Sequence, residues 1–115
     1  MVEVIYDYLN QRGLNPYFVG QHEGLCEERF LIIKEGFQIP SISSSKVGQS
    51  QIDIIIFVPI ESYIKLDVYK REIRSALRDL SYLRKTGLET ESITDDEKKA
   101  YTMSIEYVLQ KKLEG

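Results

Sequence analysis

Reactive side chains are scarce in this chain, which holds one histidine, one cysteine and no tryptophan among 115 residues. A single cysteine excludes an intramolecular disulfide and any four-thiolate metal site. Stability must therefore come from packing. Long apolar runs are also missing, and none approaches the roughly 20 residues that cross a bilayer as a helix. A large excess of one charge is missing too: the net charge is −3 with both signs interspersed, which argues against a strongly basic nucleic-acid binder and leaves room only for a local basic face. Gly13, Gly20, Gly24, Gly36, Gly48 and Gly87 compose neither a G-x-G-x-x-G nor a P-loop pattern, so nucleotide binding has no support.

What is present is the composition of a folded protein, 43% hydrophobic and 29% charged, over a length that buries a single core. One domain spanning 1–115 is expected. Met1 leads directly into a segment bearing Glu3 and Asp7 instead of a basic and then apolar leader, which predicts a cytoplasmic protein.

The strongest local signal is Gln51-Ile52-Asp53-Ile54-Ile55-Ile56-Phe57-Val58-Pro59. In an extended chain Ile52, Ile54, Ile56 and Val58 share one side while Ile55 and Phe57 share the other, which marks a central strand. Its β-branched residues suit a pleated surface, and it is too short between polar loops for an ordinary buried helix. Asp53 falls at its entrance and Pro59, which cannot donate to a ladder, at its exit.

Around this strand, Val2, Ile5, Tyr6 and Leu9 predict a short amphipathic helix stopped by Gly13. After the Asn15-Pro16 break, a first strand is expected from Tyr17 to about Gln21 and a second over Arg29–Lys34, ended by Glu35-Gly36. The segment 40–50, rich in serine and glycine, reads as a long mobile loop between two adjacent strands, or as flanking strands prolonged into a protruding hairpin. Asp67 is a plausible N-cap for a second helix to about Leu80, whose stripe is Tyr69, Ile73, Ala76, Leu77 and Leu80. An edge-like strand from Tyr82, a turn at Asp95–Lys98 and a last strand with Tyr101, Met103, Ile105, Tyr107 and Leu109 on one face close the chain.

The order is thus α-β-β-β-α-β-β, an α+β fold with a mainly antiparallel sheet of about four to five strands and both helices on one face.

Each candidate for chemistry has a plainer counterpart. His22 and Cys26 lie four apart, but Glu23-Gly24 disfavours the helix that would bring them together, and no third group orients them. Asp95, Asp96 and Glu97 lack the spacing and central glycine of an EF-hand and read as a solvated turn. Lys70, Arg71, Arg74 and Arg78, with Arg84 and Lys85, form the one concentrated basic feature, either the wet side of a helix or a contact for an acidic partner or a nucleic-acid backbone. An enzyme is the least favoured class, and no cofactor or metal is expected.

Four stretches give the chain a family likeness: Ile52–Pro59 after a polar loop; Tyr63-Ile64-Lys65-Leu66 before the second helix; Leu83-Arg84-Lys85-Thr86-Gly87; and Asp95–Tyr101 running into Ser104-Ile105-Glu106-Tyr107. In the order of its elements as much as in these residues, it resembles the small tail-terminator (tail-completion) proteins of tailed bacteriophages and prophages, especially those of Gram-positive hosts. The resemblance implies a non-enzymatic homohexameric ring that ends tail-tube polymerisation and presents its other surface to the head-side connector or neck protein, with DNA only passing through. In contractile tails the sheath protein is a further partner. It implies a place in the virion tail or neck, and in the host cytoplasm during assembly. The interface residues expected are Ser41, Ser43, Ser44, Ser45, Lys46, Val47, Gly48 and Gln49 in the loop, with Lys70, Arg71, Arg74 and Arg78 on the basic helix face. Another neck component, or a small nucleic-acid-binding module using Lys70, Arg74 and Arg78, are the alternatives.

Overall fold

The computed structural model describes residues 2–41 and 44–112, with the backbone alone over 37–41, 44–49 and 110–112. Its middle strand is the isoleucine-rich one. This strand, β3 (Ser44–Pro59), is flanked by β2 (Phe30–Ser41) and β6 (Ala100–Lys112), both antiparallel to it. Outside β2 lies β1 (Pro16–Phe18), and outside β6 lie β4 (Leu83–Glu89) and β5 (Ile93–Asp95). The sheet therefore has six strands, mostly antiparallel, with the path β1-β2-β3-β6-β4. Helices α1 (Val2–Gln11) and α2 (Tyr63–Arg78) complete the α+β fold.

Alternation along β3 sorts the protein into two unequal sides. Ile52, Ile54, Ile56 and Val58 are all fully buried and join Leu31 and Ile33 of β2, Met103, Ile105, Tyr107 and Leu109 of β6, Ile5 and Leu9 of α1, and Leu66, Tyr69, Ile73, Ala76 and Leu77 of α2. Both helices thus cover one face, as the periodicity predicts. The other face carries a smaller core of Phe30, Phe57, Cys26 and Ala100. Tyr69 couples the layers: its hydroxyl donates to the Leu14 carbonyl, just past α1, and the Arg29 guanidinium lies 4.6 Å from its ring centre. At the other end of α2, Asp79 accepts from Tyr8 (3.2 Å) and Arg12 (3.1 Å), drawing the two helices together.

Several boundaries differ from expectation for identifiable reasons. β1 runs parallel to β2, Pro16 opposite Leu31 and Phe18 opposite Ile33, so the first three strands are not a simple meander. Asn15 adopts φ 58°, and its side-chain amide donates to the Arg29 carbonyl (2.9 Å), which sets β1 beside β2 immediately after the helix. Gly36 does not end the second strand. A register shift lies between Glu35 and Gln38, and a Cβ at Gly36 would stand 3.3 Å from that of Gln51, so the glycine accommodates a bulge and pairing resumes beyond it.

The segment 40–50, read first as a mobile loop, is strand over its described part. Gln38 pairs with Ser50, Ile39 with Gln49, Pro40 with Gly48 and Ser41 with Ser44, while Val47 to Gln49 also pair with Gln110 to Lys112 of β6. This is the alternative of flanking strands prolonged into a hairpin, and the serine-rich composition permits it because backbone ladders do not depend on side-chain polarity. Pro40 is tolerated since β1 flanks β2 only at Leu31–Ile33 and leaves this stretch of β2 an outer edge. The second helix begins at Tyr63 after a 3-10 turn at Ile60–Ser62, so Asp67 lies inside it and is not its cap. The final pair of strands is three, because the edge segment splits into β4 and β5 against one long β6.

Ile54 is fully buried and Ile64 is 85% exposed. Ile54→Ala is expected to lower unfolding stability by about 2–5 kcal/mol, and Ile64→Ala to change it by less than about 0.5 kcal/mol, both read by urea denaturation.

Candidate interaction surfaces

The basic residues of α2 divide into two groups. Lys70 and Arg74, one turn apart, both reach Glu89 at the end of β4, Lys70 at 3.4 Å. All three side chains are at most one-third exposed, so the trio joins helix to edge strand. Arg71 pairs with Asp67 along the helix, as the i,i+4 spacing predicts, and both are well exposed. Arg78 is exposed and lines a small cleft of about 190 Å³ with Leu83, Lys85 and Tyr107. Among the described residues Arg78, Arg84 and Lys85 form no ion pair. The expected four-cation face is therefore reduced: the structure leaves Arg71 and Arg78 exposed and pairs Lys70 and Arg74 with Glu89 of the edge strand.

Of the expected loop residues, Ser41 ends β2, and Ser44, Ser45, Lys46, Val47, Gly48 and Gln49 begin β3. Ser43 lies outside the described residues. Lys70, Arg71, Arg74 and Arg78 occupy the middle and last turns of α2, and Arg78 shares its cleft with Tyr107, which pairs with Ile52 of β3. The strand ends at 41 and 44–49 lie at the opposite end of β3 from Pro59, after which the 3-10 turn leads into α2.

Sequence reasoning missed an apolar groove. Ile64 (85% exposed), Tyr63 (52%) and Val68 (48%) form the outer side of the first turns of α2, and with Asp67, Lys70, Glu89, Thr90 and Met103 they line a cleft of about 590 Å³. Leu88 and Ile93 are also exposed on the neighbouring edge strands, each at 62%. A signal existed: Ile64 and Val68 are four apart and form a ridge beside the buried stripe. It is invisible when the helix is taken to begin at Asp67.

His22 and Cys26 lie on the β1–β2 crossover, residues 19–29, which crosses the less covered face. His22 stacks on Phe30 with ring centres 3.7 Å apart, and Phe30 in turn stacks on Phe57 at 4.5 Å. Lys98, in the turn before β6, donates to His22 Nδ1 at 3.0 Å. The Cys26 amide donates to the Lys98 carbonyl at 2.7 Å, and Cys26 Sγ lies 3.3 Å from the Glu28 carbonyl. Burial raises the Cys26 thiol to about 11, Glu28 adds to the rise, and Lys98 opposes it. Burial and then Lys98 lower the pKa of His22. The arrangement suits a protonated, packed thiol beside a neutral imidazole, not a thiolate and its base. Among the described residues no three His, Cys, Asp or Glu side chains gather as metal ligands. Asp95 instead accepts from the Lys98 amide (3.1 Å) and shapes the turn.

No family model and no curated protein matches this chain. No helix among the described residues is long and apolar enough to cross a membrane.

Two outcomes follow from these contacts. Glu89→Ala is expected to cost about 1 kcal/mol of stability at low ionic strength and less in high salt, whereas Arg71→Ala leaves the urea midpoint nearly unchanged. At pH 8 the Cys26 thiolate is expected to be rarer than that of an unfolded thiol by about a hundredfold, and iodoacetamide alkylation timed by mass spectrometry should be slower to match.

Proposed function

We propose that this protein is a non-enzymatic structural component of a phage or phage-like tail. In this reading copies of the chain form a ring, a homohexamer by resemblance, that caps the tail tube, ends its polymerisation and joins the tail to the head-side connector. The ring resides at the tail or neck of the virion, and the tube protein and a connector or neck protein are its partners, with the sheath added where tails contract.

One observation carries the reading: unlike adhesive features occupy opposite ends of one elongated sheet. The molecule measures 49 × 25 × 24 Å, and its long axis suits β3, sixteen residues at roughly 3.3 Å each. One end is the β2–β3 hairpin. The other is the groove of Tyr63, Ile64 and Val68 beside the outer edges of β4 and β5. A closed ring needs a heterologous contact, in which one patch meets a different patch on the next copy. An apolar groove beside unpaired strand edges is suited to receiving an extended segment from a neighbour. The internal use of Lys70 and Arg74 weighs against the nucleic-acid reading, which relied on both.

The test is assembly with tail-tube and neck proteins of a tailed phage. Deletion of residues 43–49 is expected to yield tails of uncontrolled length by electron microscopy, and Ile64→Asp to leave a folded monomer that fails to form rings on tubes. Tails of normal length from both variants would overturn the proposal. Co-purification with the connector and never with the tube would place the protein elsewhere in the neck.

A further inference from the structure

We propose that His22 and Lys98 form a pH-sensitive latch that holds the 19–29 crossover against the open face of the sheet at neutral pH and releases it on acidification. The inference does not depend on the ring reading. It stands on the way one residue grips the crossover at several points. The Lys98 ammonium donates to His22 Nδ1 at 3.0 Å and lies 3.5 Å from the carbonyl oxygens of both His22 and Gly24, while its own carbonyl accepts from the Cys26 amide at 2.7 Å. The crossover belongs to neither a strand nor a helix, and Leu25 within it is 54% exposed. The His22 half of the crossover is attached by these bonds, by Cys26 and by the stack of His22 over Phe30. The other end is fixed separately by Arg29, which pairs with Glu72, lies over Tyr69 and accepts at its carbonyl from Asn15.

A lysine ammonium only donates, so this contact requires Nδ1 to be an acceptor and the imidazole to be neutral. When His22 takes a proton from solvent at Nδ1, the acceptor disappears and two cations face each other. The groups in contact with the ring are Lys98 from the turn, Tyr17 from β1 in edge contact at 5.1 Å and Phe30 from β2; Glu23, Glu27 and Glu28 belong to the same crossover, and Asp95 is bonded to the Lys98 amide. No carboxylate among the described residues forms an ion pair with His22, and the charged group in contact with its ring is the Lys98 ammonium.

The direction follows from linkage. The closed form keeps His22 neutral to a lower pH than the open form does. Closure is therefore fully favoured above the ordinary histidine value of about 6.5 and weakens as pH falls from there to the lower value of the folded protein. One proton is involved, so the open population rises by up to about tenfold per pH unit within that interval.

Because the chain has one histidine and one cysteine, both ends of the test are unambiguous. Cys26, a residue of the crossover that is 5% exposed where it packs on the sheet, reports opening through its labelling by 4,4′-dithiodipyridine, expressed relative to N-acetylcysteine at the same pH. In the wild type this relative rate is expected to rise as pH is lowered from about 6.5, with its onset matching the His22 titration followed by NMR. In His22→Gln, which keeps an acceptor for Lys98 and cannot titrate, it should stay flat. A flat or falling wild-type profile would overturn the latch, as would an equal acid rise in His22→Gln or a His22 pKa at or above the ordinary value. Loss of far-UV circular dichroism over the same interval would also overturn it, since the whole domain would then be opening. If His22→Gln does not fold, the wild-type profile and the NMR titration decide the matter together.

Discussion

The structure depends on β3 being covered at its middle. Ile52, Ile54, Ile56 and Val58 are wholly removed from water by the two helices, while β2 and β6 satisfy the backbone on either side. A strand flanked on both edges and apolar on both faces cannot be left at a margin without exposing its side chains. Its position then places the remaining elements: the helices on one face, the long partners beside it, and the short strands β1, β4 and β5 at the outside.

The face away from the helices is divided along its length. Toward Pro59, Phe30 and Phe57 stack and are capped by His22 and Cys26 from the crossover. Toward the hairpin, Asp53 stands between Lys34 on β2 and Glu106 on β6, and the Gln51 amide reaches both carboxylates, at 3.3 and 3.4 Å. Like charges directly across a ladder repel, and the cation on one side with the amide donor between them moderates that repulsion. The aromatic half thus needs a cover, and the crossover supplies it. The polar half can remain wet.

Charge in α2 serves structure and surface at once. Glu89 lies at the end of a strand that pairs with β6 only at Leu83–Lys85 and again at Glu89 itself. Its pairing with Lys70 and Arg74 holds this loosely paired edge to the helix. The same contact forms one wall of the apolar groove. Beside it Ile64 and Val68 remain exposed.

Much of the architecture was legible in the residues alone, since period-two and period-3.6 patterns encode which side chains share a face. The α+β class, both helices on one face, the central strand and the inward side of β6 follow from such local patterns. Only the tertiary structure decided that β1 runs parallel, that Gly36 bends a strand instead of ending it, and which of the two readings of the serine-rich segment, loop or prolonged hairpin, holds, because these turn on backbone pairing that side-chain patterns do not encode. The same holds for the sites. Asp67 and Arg71 met as their spacing required, but Glu89 claimed Lys70 and Arg74 from fifteen and more residues away. His22 and Cys26, scarce enough to attract attention, were joined through Lys98, more than seventy residues along the chain. Periodicity determines which way a side chain faces; which partner it meets there is decided by the folding of the whole chain.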